Sequence, residues 1–385
     1  MQTEHPNPVP LCDLRAQHQE LRDEIEAALS RVLASGQVIL GPETSALERE
    51  VADYCGVGHA VGCGSGTDAI SLALHAIGVG PGDEVILPTF TFFATAGCVL
   101  RTGATPVFAD IDPATFNIDP AAVARAISPR TKAIMPVHLY GQCADMAELW
   151  AIGAEHGVAI IEDAAQAFGS EYYGKRTGRL GAIACFSFYP TKTLGTYGDA
   201  GMVVTDDADW ADRMATLRVH GMKPKYVHGI LGWNARIDAL HSAILRVKLP
   251  HVERWITARR DAALRYDDLI TLQRLDGFVV RPIARRDRKH TFNQYVVRVT
   301  DGSRDALVQH FQSRGIGCEV YYPRPVHLQD CVRHLGHAAG DFPISEAASR
   351  EVLALPIFPE ITPEQQSRVI QTIAAFRACA GRLAA

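Results

Sequence analysis

HGVAIIEDAAQAFG, residues 156–169, decides the fold. Val158 to Ile161 are apolar and mostly β-branched, with no polar residue breaking the run. Such a stretch reads as a strand buried on both faces, the kind found in a parallel sheet covered by helices. Asp163 then falls just past the carboxyl end of that strand, where open α/β sheets bind their ligands. Ala164 and Ala165 are small enough to let a flat ring lie against the chain, and Gln166 can reach a substituent on it. An Asp at this place is also a common helix N-cap, and the segment alone leaves both roles open.

Similar runs recur on either side. Val85 to Leu87, Pro106 to Ala109 and Ala133 to Val137 read as further strands, alternating with helical stretches between about residues 60 and 205. That alternation means βαβ units and a mostly parallel sheet, an α/β fold. Ahead of it, Leu21, Ile25, Ala28, Leu29, Val32 and Leu33 form one face of a helix that stops at Gly36, a suitable C-terminal cap. Residues 239–270 read as a long helix that Pro250 kinks or breaks. A chain of 385 residues is expected to form two domains, and the boundary is placed there: 1–250 as the large domain and 251–385 as a smaller α/β domain. In the latter, Tyr295 to Val299 and Glu319 to Tyr322 look like strands, and Ser303 to Arg314 and Thr362 to Ala378 like helices. Thr362-Pro363 with Gln365 three residues after the cap is a helix start signal.

The run ACFSFYPTKTLGTYGDAGMVV, residues 184–204, carries the chemistry. Lys192 lies between a β-rich apolar run and a glycine-rich loop, placed to form an imine with a bound aldehyde. Pyridoxal 5'-phosphate is the obvious aldehyde. Burial would make the amine nucleophilic by lowering its pKa; a solvated loop lysine is the alternative, so further cofactor contacts must decide. Asp163 supplies the acid that keeps the ring nitrogen protonated. A phosphate site is offered by VGCGSGTDAISLALHAIG, residues 61–78, where a strand from Ala60 to Cys63 leads through Gly64 and Gly66 into a helix opened by Thr67-Asp68. Such turns also occur without ligands, and the spacing departs from the dinucleotide GxGxxG pattern. Ser187 gives a second hydroxyl for the same phosphate. In PTFTFFAT, residues 88–95, one of Phe90, Phe92 and Phe93 is placed to stack on the ring, core packing being the alternative for each.

Composition narrows the function classes. Net charge is −5, which argues against broad contact with nucleic acid. No apolar run is long enough to span a bilayer, and MQTEHPNPVP shows neither the basic start nor the apolar core of a signal peptide. Nine cysteines stand singly, without CxxC or any metal-ligand spacing, as expected of reduced thiols in a cytoplasmic protein with no metal.

Taken in order, GSGTDA at 64–69, TFFAT at 91–95, EDAAQAFG at 162–169, SFYPTKTLGTYGDAG at 187–201 and GWNAR at 232–236 resemble the DegT/DnrJ/EryC1/StrS family of nucleotide-sugar aminotransferases. The resemblance runs from PLCDLRAQ at 10–17 to YYPRPVHLQ at 321–329. It implies the fold type I architecture, with a seven-stranded type of sheet in the large domain. It also implies roles: Lys192 as cofactor-bound lysine and proton shuttle, Asp163 on the pyridine nitrogen, and Gln166 near the phenolic oxygen. Gly66, Thr67 and Ser187 would hold the phosphate and Phe92 would stack. Asn234 resembles an asparagine that reaches the phosphate of the neighbouring subunit, which implies a homodimer with shared active sites. Arg236 is the candidate for gripping a carboxylate of the amino donor, a surface salt bridge being its alternative. His327 resembles a position near the sugar. Where relatives carry His-Tyr-Pro this chain has Tyr321-Tyr322-Pro323, so Tyr321 is a candidate substrate contact. His241, where relatives often have glutamine, is read as helix packing.

The implied reaction has two halves: L-glutamate gives its amine to the cofactor, and the keto group of a nucleotide-linked sugar takes it up. The stretches at 129–146 and 161–169 are most similar to members acting on 3-keto sugars; 4-keto sugars are the alternative. Retention of Lys192, which the family's dehydratases replace with histidine, favours transamination over dehydration. A regulatory protein that binds without turnover is a further alternative. The loop RVHGMKPKYVHGILGWNAR, residues 218–236, is either a clamp for a nucleotide diphosphate or a solvated basic loop.

Overall fold

The computed structural model describes residues 8–383. The first seven residues, which hold most of the stretch read above for a signal peptide, lie outside the described residues. Seven strands, β1 (His59–Cys63), β2 (Glu84–Pro88), β3 (Thr105–Ala109), β4 (Thr131–Ile134), β5 (Ala159–Asp163), β6 (Ile183–Ser187) and β7 (Gly201–Thr205), form one sheet in the order β1-β7-β6-β5-β4-β2-β3. All pairings are parallel except those of β7, which runs antiparallel to both β1 and β6. Alternate residues feed separate cores: Val203 and Cys185 pack with Ile70, Leu74 and Ile161 on one face, while Met202, Val204 and Phe186 pack with Leu47, Val51 and Ile256 on the other. Coverage on both faces is why the strands read as unbroken apolar runs.

The first helix spans Leu14–Ser35 and buries Leu21, Ile25, Ala28 and Val32, with Gly36 at φ 67° closing it. Leu33, expected on the same face, is 63% exposed, one position off the stripe. The long helical stretch is two helices, Ala239–Lys248 and Val252–Leu272, separated by a 3-10 turn at Leu249–His251 where Pro250 lacks an N–H. A second core begins within the latter helix and gathers Ala262, Tyr266, Tyr295, Leu307, Leu353 and Ile370 around the antiparallel strands Val279–Val280, Tyr295–Val299 and Val352–Leu355.

Val9 packs in this second core, bridging Ile316 and accepting the Gly317 N–H at 2.7 Å. One expectation needs correction. Glu319 to Tyr322 is not a strand: only Glu319 bridges, to Ala354, and the Tyr321 carbonyl takes the Tyr140 hydroxyl rather than a ladder partner. The final helix, Pro363–Leu383, starts as expected, Thr362 Oγ1 accepting from Gln365 N–H at 3.2 Å while Gln365 Oε1 accepts from Thr362 N–H at 2.9 Å.

Candidate active site

A cavity of about 660 Å³ opens at the carboxyl ends of the parallel strands. Asp163, last residue of β5, sits at its base with 4% exposure. Thr95 Oγ1 donates to Asp163 Oδ2 at 2.8 Å and Ala165 N–H to Oδ1 at 3.3 Å. Burial raises the pKa of this carboxyl, opposed by those two hydrogen bonds and by the nearby charges of Lys192 and His138. Lys192 lies on the connection from β6 to β7 and lines the same cavity. Burial pushes its amine down to about 8 from the ordinary lysine value, with the Asp163 carboxylate pulling the other way. The lysine is therefore a nucleophile under mild conditions, in contrast to a solvated one.

The strand β1 leads into the helix Gly66–Ala76, whose N-cap Ser65 accepts from Asp68 N–H at 3.1 Å. Ser65, Gly66 and Thr67 present the helix start to the cavity, and Ser187, last residue of β6, faces them. A Cβ on Gly66 would stand 2.7 Å from the Ser187 Cβ, so only glycine lets the two segments come this close. Amides and hydroxyls converging on a helix N-terminus suit a phosphate. Phe92 lines the cavity with 59% of its surface exposed, its ring centre 6.2 Å from that of Tyr322, while Phe90 is fully buried in the core. A primary amine, a buried carboxylate, an anion cradle and an exposed aromatic ring in one cavity fit pyridoxal phosphate.

Gln166 is fixed on both sides: its Oε1 accepts from Tyr140 N–H at 2.7 Å and its Nε2 donates to the Tyr322 hydroxyl at 2.9 Å. Burial raises the Tyr322 hydroxyl far above its usual pKa, keeping it protonated. Tyr321 and Tyr322, with Gln294, Glu319 and Val320, form the wall contributed by the C-terminal half. Gly66, Thr67, Phe92, Asp163, Gln166, Ser187, Lys192 and Tyr321 are thus brought together.

Three expected site residues are not. His327 is 1% exposed and lies in a separate polar cluster, its Nδ1 2.6 Å from Thr89 Oγ1 and its Nε2 3.3 Å from Glu346 Oε1. Asn234 is exposed and Arg236 half-buried; their backbone runs beside Val219 and Cys63 rather than into this cavity, and Arg236 forms no ion pair among the described residues. No residue of the basic loop lines the cavity, and two of its cations are committed elsewhere, Arg218 to Glu48 and Lys223 to Asp212. His241 packs against the lysine connection, its Nε2 2.9 Å from where a Cβ on Gly198 would be. Thr95, Tyr322, Glu319 and Gln294 were not singled out from sequence; the hydroxyl of Thr95 in TFFAT was the one visible signal.

Residues 19–374 match the DegT/DnrJ/EryC1/StrS aminotransferase family. The chain is 50% identical over 368 residues, covering 96% of it and 98% of the relative, to a protein named pleiotropic regulatory protein from Geobacillus stearothermophilus. It is 44% identical, over 95% of its length and 97% of the relative's, to a UDP-N-acetyl-3-dehydro-alpha-D-glucosamine 3-aminotransferase of Acidithiobacillus ferrooxidans. Among solved structures, S. venezuelae DesV in complex with a ketimine intermediate is similar at a TM-score of 0.92 and 42% identity, covering 96% of this chain and 98% of that one.

Proposed function

Because the chain belongs to the DegT/DnrJ/EryC1/StrS aminotransferase family, we propose that it transfers the amino group of L-glutamate to the C3 keto group of a nucleotide-linked hexose. The observation that carries this reading is the joint placement of Lys192 and Asp163 in one cavity facing the anion cradle of Ser65, Gly66, Thr67 and Ser187. When bound there, pyridoxal phosphate supplies a carbonyl that amines can join and a ring that withdraws electrons.

The chain's own residues do the rest. Ser187 and the amides at the helix start hold the phosphate, and Phe92 covers the ring face. Asp163 keeps the proton on the ring nitrogen. Lys192, whose amine burial brings down to about 8, moves a proton from the donor's α-carbon to the cofactor in the first half of the reaction and from the cofactor to C3 of the sugar in the second. Enclosure between the sheet edge and the Gln294–Tyr322 wall limits water around that transfer. Asn234, exposed and away from its own cavity, supports a homodimer in which each chain completes the other's phosphate site, with Arg236 beside it to meet the donor's carboxylate. Nine cysteines that stand singly in the sequence, without CxxC spacing, support a reducing, cytoplasmic setting.

Relatives whose names specify amination at C3 support that position over C4. The regulatory name of one relative supports the other reading, binding without turnover. A pure binder has no need of an imine-forming lysine in the cavity beside Asp163, which favours catalysis. The test is mass spectrometry of products formed from L-glutamate and a panel of 3-keto and 4-keto nucleotide sugars, with borohydride trapping at Lys192. Exchange of oxygen for amine on a 3-keto sugar is expected, and Lys192→Ala should lose at least about 100-fold in rate, as for removal of a general acid–base group. Turnover retained by Lys192→Ala, or amination of 4-keto sugars alone, would refute it.

A further inference from the structure

The carboxylate of Asp163 is not held by backbone alone. Its Oδ2 receives the hydroxyl of Thr95 at 2.8 Å, the shorter of its two hydrogen bonds. Thr95 is 1% exposed and Thr91, which lines the cavity, 4% exposed. Thr95 Oγ1 also lies 3.1 Å from the Phe92 carbonyl and 3.0 Å from Thr91 Oγ1. A hydroxyl has one proton to give. Of its two acceptors the carboxylate is the closer and the charged one, so the proton points there, and Thr91 donates to the Thr95 oxygen in turn. Thr91 to Thr95 to Asp163 is therefore a directed chain of donors ending on the carboxylate.

We propose that Thr95 is a positioning residue for the transamination, lowering the basicity of the Asp163 carboxylate so that the proton between it and the cofactor's ring nitrogen rests on the nitrogen, with Thr91 reinforcing the effect. This rests on the reading of Asp163 as the ring-nitrogen partner. In an apolar pocket a carboxylate becomes more basic, as burial does to Asp163 here. Without a counteracting donor it would keep the shared proton, and the ring would be a weaker electron sink. Cofactor ligation by Lys192 and the phosphate cradle would be untouched, because Thr95 contacts neither.

The experiment uses holoenzyme carrying cofactor labelled with nitrogen-15 in the ring, in wild type, Thr95→Val, Thr95→Ala, Thr95→Ser and Thr91→Val. The ring-nitrogen chemical shift distinguishes pyridinium from pyridine. The two variants without a Thr95 hydroxyl should move it towards pyridine and lower kcat about 10-fold or more, as for a lost hydrogen bond to a charged group, with KM for the donor little changed. Thr95→Ser should stay near wild type, and Thr91→Val should move the same way by less. An unmoved nitrogen signal in either hydroxyl-free variant that folds and binds cofactor overturns the proposal. Asp163→Ala separates the two levels: if it leaves the signal at the pyridinium position, the role of Asp163 itself is wrong, independently of Thr95.

Discussion

Lys192 has a counterpart in Lys248, and comparing them shows what burial accomplishes. Both are pushed down to about 8 by burial. Lys248 is fully buried, donates to the Gly195 carbonyl at 2.8 Å and lies 4.2 Å from the centre of the Tyr197 ring, so it fastens the connection that carries Lys192. The Lys192 amine has no hydrogen-bond or ion-pair partner among the described residues, and the residue lines the cavity. The one is tied down and the other free to react. Since only the neutral amine attacks a carbonyl, capture of an aldehyde by the cofactor-free protein, followed by borohydride trapping, should rise with pH through about 8. A half-point near the ordinary lysine value of about 10.4 would contradict the role given to burial. Lys248→Met leaves the Gly195 carbonyl without its donor and should cost about 1–3 kcal/mol in denaturant unfolding.

At the scale of elements, β7 begins in a tight contact. Gly201 pairs with both Cys63 at the end of β1 and Ser187 at the end of β6. A Cβ there would stand 2.3 Å from the Ser65 carbonyl oxygen, a backbone atom that cannot swing away. Gly201→Ala should cost about 1–3 kcal/mol and weaken cofactor binding with it, read by chemical denaturation and cofactor titration. Thr362→Ala should cost about 1 kcal/mol and leave cofactor affinity unchanged, since its cap serves only the last helix. Elements like these were legible from sequence because their signals are local: an unbroken apolar run buried on both faces, a Thr-Pro start, a proline that splits a helix. Residues 319–322 misled because an apolar, aromatic run looks the same whether it pairs in a sheet or walls a cavity. The burial of His327 was not legible, because its partner Thr89 lies 238 positions away and nothing near a lone histidine tells burial from exposure. The hold of Thr95 on Asp163 was hidden likewise, across 68 positions.

For the whole molecule, the proposed sharing of sites makes a prediction that neither chain alone can satisfy. If Asn234 serves the neighbour's phosphate, mixing Lys192→Ala with Asn234→Ala subunits should restore activity, up to about a quarter of wild type when chains re-pair at random. No recovery at limiting cofactor would mean that each chain completes its own site. The reversal of β7 has a broader consequence. Because β7 runs against β6, the lysine-bearing connection leaves and re-enters the sheet at the same edge, from Ser187 to Gly201. The groups that handle the amine are thereby set on one rim, while Gln294, Glu319 and Tyr321 of the C-terminal half also line the cavity. Acceptor preference can then diversify by exchange of that C-terminal wall, with the machinery on the rim left as it is.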